Sequence, residues 1–184
     1  PHDLVTDVDK GAEAMIRKLI LTHFPDHEIL GEEGVAPGAA ASAAALKQGS
    51  ESEYLWIVDP VDGTTNFVHG FPFFCVSIAL AYKGDVIIGV IYDPIRDEMF
   101  VAEKGKGAYI HGQKSKVSND ATLSGSVIAV GFNPDRDFAL PVNMRGLNAL
   151  SGQVRSLRAA GSAALHLAYV AAGRLSGYYE VGLN

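Results

Sequence analysis

From Phe73 to Lys114 the chain is a run of apolar segments whose connections are too short to hold a helix. "FFCVSIALAY" and "DVIIGVIYD" meet across Lys83-Gly84-Asp85, a tight-turn signature. "EMFVAEK" continues the meander, and "GKGAYIHGQ" reads as one more glycine-punctuated hairpin. Strands joined this closely run antiparallel, since a parallel pair needs a crossover of about a dozen residues or more. Helical patterns flank them. Thr6 to Asp9 has the form of a capping box, Met15, Ile16, Leu19 and Ile20 recur at helical spacing, and Phe24-Pro25 stops the helix. "HEILGEEG", "YLWIVD", "SVIAVGF" and "LSGYYEV" are further strands, and residues 137–150 and 162–173 are later helices. No strict βαβ rhythm and no internal repeat is visible, so the expectation is α+β layering with mostly antiparallel sheets. Residues 36–53, rich in alanine, read as a surface loop.

With 184 residues the chain suits one domain with a sizeable core. Its apolar runs fall short of the roughly 18 residues a bilayer span requires. A lone Cys75 rules out an internal disulfide and makes an intracellular, cytoplasmic setting the default. The formal charge is −6, and Lys104, Lys106, Lys114 and Lys116 are spread through the hairpin stretch, which argues against nucleic acid as a partner. That charge would also repel an anionic substrate unless a bound cation reverses the local sign. Lacking an initiator Met and stopping just after an apolar strand, the chain is expected to be a fragment, truncated at both ends.

The chemistry is concentrated in Asp59-Pro60-Val61-Asp62-Gly63. Taken alone, these residues make a turn. The turn, however, follows an almost wholly apolar strand, and Glu32-Glu33 ends another. Carboxylates gathered in one place repel and need a counter-charge. With no base beside them in sequence, and no His or Cys among them, the set suits a hard cation such as Mg²⁺. An EF-hand register fails, because it puts Val58 and Pro60 where oxygens are required. A helix opening at Gly63, with Thr64 and Thr65 in its first turn, aims backbone N–H groups at a phosphate. Cations beside such a helix end are the equipment of phosphoryl hydrolysis.

"GEE", "WIVDPVDGTTNF" and "GSAA" together resemble the inositol monophosphatase family of magnesium-dependent, lithium-sensitive sugar phosphatases, over the whole chain from "DLVTDVDK" to "YYEVGLN". The resemblance implies one domain over residues 1–184, a layered αβαβα sandwich, and a homodimer. It implies hydrolysis of a small sugar or polyol monophosphate, foremost myo-inositol 1-phosphate, by an in-line water oriented by Glu32 and Thr64. By motif, Glu32, Asp59, the Val61 carbonyl and Asp62 bind Mg²⁺, with Glu33 beside them. Asp9 supports Thr64, and the amides of Gly63 and Thr64 hold phosphate. Asp62, Gly161, Ser162, Ala163 and Glu180 meet the substrate, where the family often has threonine in place of Ser162. The family's next motif, a Trp-Asp pair that completes the second metal site, falls beyond Asn184. The alternatives are other substrates (histidinol phosphate, L-galactose 1-phosphate, a 3′-phosphonucleotide or fructose bisphosphate) or a non-catalytic binding or assembly subunit. A plastid location fits if a transit peptide has been removed.

Other residues read more plainly. His69 falls in a loop and His166 in a packed helix. Cys75 is an inert buried thiol and Trp56 a core anchor. "GAYIHGQK" lacks the order of a P-loop. Thr65 and Asn66 shape the helix start.

Overall fold

The computed structural model describes residues 7–34, 44, 45, 47, 52–132 and 137–183, with only the backbone of Glu33. Within the expected 36–53 loop, Ala44, Ala45 and Lys47 are helical, Ser52 and Glu53 precede a strand, and the rest lies outside the described residues.

Helix α1 spans Asp7–His23. Asp7 and Asp9 in its first turn and His23 in its last complement the helix dipole. It closes with the Phe24 N–H on Ile20 O, directly before Pro25. Its inner face buries Asp9, Glu13 and Ile20, while Met15 and Leu19 stay 73% and 62% exposed.

The large sheet has seven strands in sequence order: β1 Glu28–Gly31, β2 Tyr54–Asp62, β3 Cys75–Tyr82, β4 Asp85–Asp93, β5 Glu98–Glu103, β6 Gly107–Ile110 and β7 Gln113–Lys114. Only β1 with β2 is parallel; the other pairs are antiparallel. Lys83 and Gly84, at φ 50° and 84°, make the left-handed turn that joins β3 to β4, and His111 and Gly112, at 48° and 76°, repeat it between β6 and β7. The 59–62 stretch is not the expected turn. Strand β2 runs on through it as a bulge, with Asp59 opposite Ser77 and Asp62 opposite Cys75. Pro60 has no N–H to give the ladder, so a bulge is where a strand tolerates it.

A second sheet orders β8 Val127–Val130 between β10 Gly177–Tyr179 and β9 Ser156–Arg158, all parallel. Helix α2, Thr64–Val68, follows β2; α3, Ala139–Ser151, links β8 to β9, and α4, Ala163–Ala171, links β9 to β10. This βαβαβ unit is a rhythm the sequence reading did not separate out, because β9 has only three residues.

The layers are αβαβα. Helix α1 covers one face of the large sheet at β2. Helix α4 fills the space between the sheets, where Phe73, Cys75, Phe100, Leu165 and Ala168 form a buried cluster. Along β10, Tyr178 turns its ring to His166 of α4, and Tyr179 turns the other way, its hydroxyl donating to Asn143 O of α3. Trp56 is not in that core. It is half-buried under α1, its Nε1 donating to His27 Nδ1 at 2.9 Å and its ring 5.8 Å from Phe24.

Candidate active site

Parallel pairing sets Gly31 of β1 level with Val58 of β2, so Glu32, leaving the end of β1, comes beside Asp59, which is still within β2. Their carboxyls are hydrogen-bonded to each other. Burial, then the charges of Glu32 and Asp62, push the Asp59 pKa well above the carboxylate range; the Val61 N–H, which Asp59 Oδ1 accepts at 3.1 Å, pulls it down. A proton between two carboxylates marks a place short of positive charge, and the all-oxygen donors fit a hard cation there. Glu13, one helical turn beyond Asp9, lays its carboxyl against Gly31, where any Cβ would collide with it. The Glu33 side chain lies outside the described residues.

Thr64 opens α2, and its Oγ1 lies 3.3 Å from Asp9 Oδ1 and 3.0 Å from Val61 O. Its single proton serves one acceptor at a time. Asp9, 1% exposed, thus joins α1 to the β2–α2 corner. Gly63 makes the corner at φ 99°, and a Cβ there would sit 3.1 Å from Phe73 O and 3.3 Å from Gly161 O. No side chain fits so tight an approach without displacing backbone.

Asp62 faces a different partner. Its Oδ2 accepts from Ser162 Oγ at 2.6 Å and from Ala164 N at 2.7 Å, and its Oδ1 from Ala163 N at 3.3 Å. The carboxylate therefore sits on the N-terminus of α4, where backbone N–H groups and the helix dipole favour negative charge. Ser162 caps the same helix, accepting from Leu165 N. No three His, Cys, Asp or Glu side chains among the described residues are arranged to hold a metal ion.

Asn66 ties the corner to the substrate-side loop, its Nδ2 donating to Phe73 O and to Ala160 O, each at 2.6 Å. Gly161 follows at φ 84°, with Asn66 3.0 Å from where its Cβ would stand. Glu180 is partly buried and accepts from the Tyr178 hydroxyl. Burial raises its pKa and so does the Asp62 charge, against the lowering by Tyr178. Gly131 lies against both, so that a Cβ there would collide with the Glu180 carboxyl.

Glu32, Asp59, Val61, Asp62, Gly63, Thr64 and Asp9 thus form one neighbourhood, with Gly161, Ser162 and Ala163 against it through Asp62 and Gly63, and Glu180 within reach of the Asp62 charge. Glu13, Asn66, Gly131 and Tyr178 complete the surroundings without having been picked out for contacts here; "EAM" and the glycine of "AVGF" carry too little local pattern to reveal partners so distant in sequence. Apart from Trp56, the plain readings of other residues agree with the structure. His69 is exposed, with Nδ1 at Thr65 O. Cys75 is fully buried, and burial pushes its thiol pKa up. A largely apolar cavity of about 240 Å³ lies elsewhere, between β3–β6 and α4, lined in part by Ala79, Ile91, Phe100 and Leu167.

Residues 1–184 match the inositol monophosphatase family throughout, and the chain belongs to that family. It is 43% identical over its whole length to the Nus factor SuhB of Pasteurella multocida and 46% identical over 98% of its length to inositol monophosphatase 1 of Solanum lycopersicum. It spans 65% and 64% of the length of these two curated relatives. Among solved structures, the extragenic suppressor protein suhB of Bartonella henselae superposes on all of the chain, which covers 67% of it, with a TM-score of 0.87 at 39% identity.

Proposed function

We propose that the protein is a Mg²⁺-dependent phosphatase acting on a small sugar or polyol monophosphate, with myo-inositol 1-phosphate foremost, and that residues 1–184 form one domain of it. The observation that carries this reading is the meeting of the Glu32 carboxyl, just past the end of β1, with that of Asp59, at the bulge of β2, beside the Thr64–Asp9 pair. Glu32, Asp59, the Val61 carbonyl and Asp62 are the residues to hold Mg²⁺. The bound cation supplies charge neutralisation at the phosphoryl oxygens and makes a neighbouring water more acidic. Thr64 commits its proton to Asp9 or Val61, which leaves its oxygen to accept from that water and turn a lone pair toward phosphorus. Glu32 accepts the other water proton as the new P–O bond forms and the P–O bond to the sugar breaks, and a proton is returned to the departing alkoxide. The amides of Gly63 and Thr64 steady the phosphate. Gly161, Ser162, Ala163 and Glu180 border the sugar, with Glu180 an acceptor for its hydroxyls. Lithium sensitivity and a homodimer belong to the same reading.

Phosphate release by the full-length protein, with and without Mg²⁺, should be fastest on myo-inositol 1-phosphate in a panel with histidinol phosphate, L-galactose 1-phosphate, a 3′-phosphonucleotide and fructose bisphosphate. Another winner corrects the substrate; no release from any member removes the activity.

The 43% identity to a protein named a Nus factor favours a second reading, a binding or assembly subunit that keeps the fold. A scaffold has no reason to load metal, so Mn²⁺ soaked into crystals separates the two. Density at Glu32 and Asp59 supports the phosphatase, and its absence the subunit.

A further inference from the structure

Among the described residues, the buried side-chain polar atom without a hydrogen-bond partner is His166 Nδ1. His166 is 1% exposed, at the inner side of α4. Its Nε2 accepts from Ala160 N at 3.3 Å, so that nitrogen carries no proton. The neutral ring must then hold its hydrogen on Nδ1, where nothing accepts it. Burial favours this neutral form by lowering the ring's pKa, against the smaller opposing influence of the Asp62 charge.

Leaving a buried N–H unmatched is costly. The Phe73 and Tyr178 rings flank the imidazole at 5.2 Å and 5.1 Å, an environment that a Phe would fill with no orphaned donor. The imidazole is explained by what Nε2 does. Ala160 is gripped at both polar groups, its N–H by His166 and its carbonyl by Asn66. Directly after it come Gly161, in the left-handed region, and Ser162, Ala163 and Ala164, which together hold Asp62.

We propose that His166 is a positioning residue: by accepting the Ala160 N–H it fixes the 160–164 turn whose hydroxyl and amides aim the Asp62 carboxylate. Its ring also backs Tyr178, the donor to Glu180, so one side chain steadies both substrate-side groups. The consequence for turnover rests on the phosphatase reading; the consequence for the turn does not.

The test uses the full-length protein with His166→Phe, which keeps a ring but no acceptor, and His166→Gln, whose Oε1 reaches about where Nε2 stands. Hydrogen exchange of the segment covering residues 160–164 and the KM and kcat for myo-inositol 1-phosphate are measured for each. His166→Phe is expected to speed exchange in that segment and raise KM about fivefold each, the scale of one net hydrogen bond, with kcat and the thermal midpoint changing much less. His166→Gln returns both quantities toward wild type. Unchanged exchange in His166→Phe, or a Gln variant as impaired as Phe, overturns the proposal. If Phe does not fold, Leu takes its place under the same criteria. If wild type turns over no phosphate ester, the phosphatase reading fails, and exchange alone decides the role of His166.

Discussion

The Ser162 hydroxyl donates to Asp62 Oδ2 at 2.6 Å across 100 positions of chain, and its oxygen accepts from Leu165 N at 3.3 Å. One buried atom thus caps α4 and orients a carboxylate of the candidate site. Ser162→Ala is expected to cost about 1 kcal/mol in urea unfolding, the usual worth of a cap, and to slow phosphate release. Ser162→Thr keeps the hydroxyl and should retain most of both. An alanine variant with wild-type stability and rate would show that the pair does neither job.

Thr64 and Asp9 form the second long-range pair. Thr64→Val preserves shape and removes the hydroxyl, and it should lower kcat about a hundredfold, the scale for misplacing an attacking group. KM should move little, and Thr64→Ser should restore the rate. A Val variant that lost only substrate affinity would move Thr64 from the water to the phosphate.

Gly63 tests the corner itself. An alanine at φ 99° costs roughly 1–2 kcal/mol for its left-handed backbone, and its Cβ would crowd Phe73 O at 3.1 Å. Gly63→Ala should lower the denaturation midpoint accordingly. An unmoved midpoint would mean that the corner relaxes freely.

The Asp59 pKa is raised by burial and by Glu32 and Asp62, and the sign of its linkage follows. A carboxyl held above its unfolded value contributes stability at low pH that is lost as pH rises past the ordinary carboxylate range. In chelator, the wild-type thermal midpoint should fall from mildly acidic to mildly alkaline pH. Asp59→Asn, which has no charge to bury, should flatten that slope. Equal slopes in the two proteins would show that Asp59 is not the group responsible.

Gly131→Ala probes the substrate side, since the new methyl collides with the Glu180 carboxyl and crowds the Tyr178 hydroxyl. KM should rise more than kcat falls. The reverse pattern would tie Glu180 to the chemical step instead of to sugar recognition.

The large sheet was readable because its strands are long and glycines mark turns such as Lys83-Gly84. Strand β9 was not, because Ser156–Arg158 is too short to show a period, and with it went the parallel second sheet. The extension of β2 through Pro60 was hidden for another reason: Asp, Pro and Gly are turn formers, and only pairing with Ser77 and Cys75 makes them a bulge. Glu32 and Asp59 could be matched as residues following apolar strands. The grip of Asp62 on residues 162–164, the Asn66 clamp and the His166–Ala160 bond could not, since each depends on approaches that no local pattern encodes. Trp56 misled because a large apolar side chain suggests the core, whereas its indole N–H found His27 at the sheet margin.

The most direct measurement is Mg²⁺-dependent phosphate release from myo-inositol 1-phosphate by the full-length protein, wild type beside Asp59→Asn. Wild type should release phosphate only with the cation, and the folded Asn variant should fall to background. Near-normal release by Asp59→Asn would contradict the assignment of the paired carboxyls to metal-assisted hydrolysis.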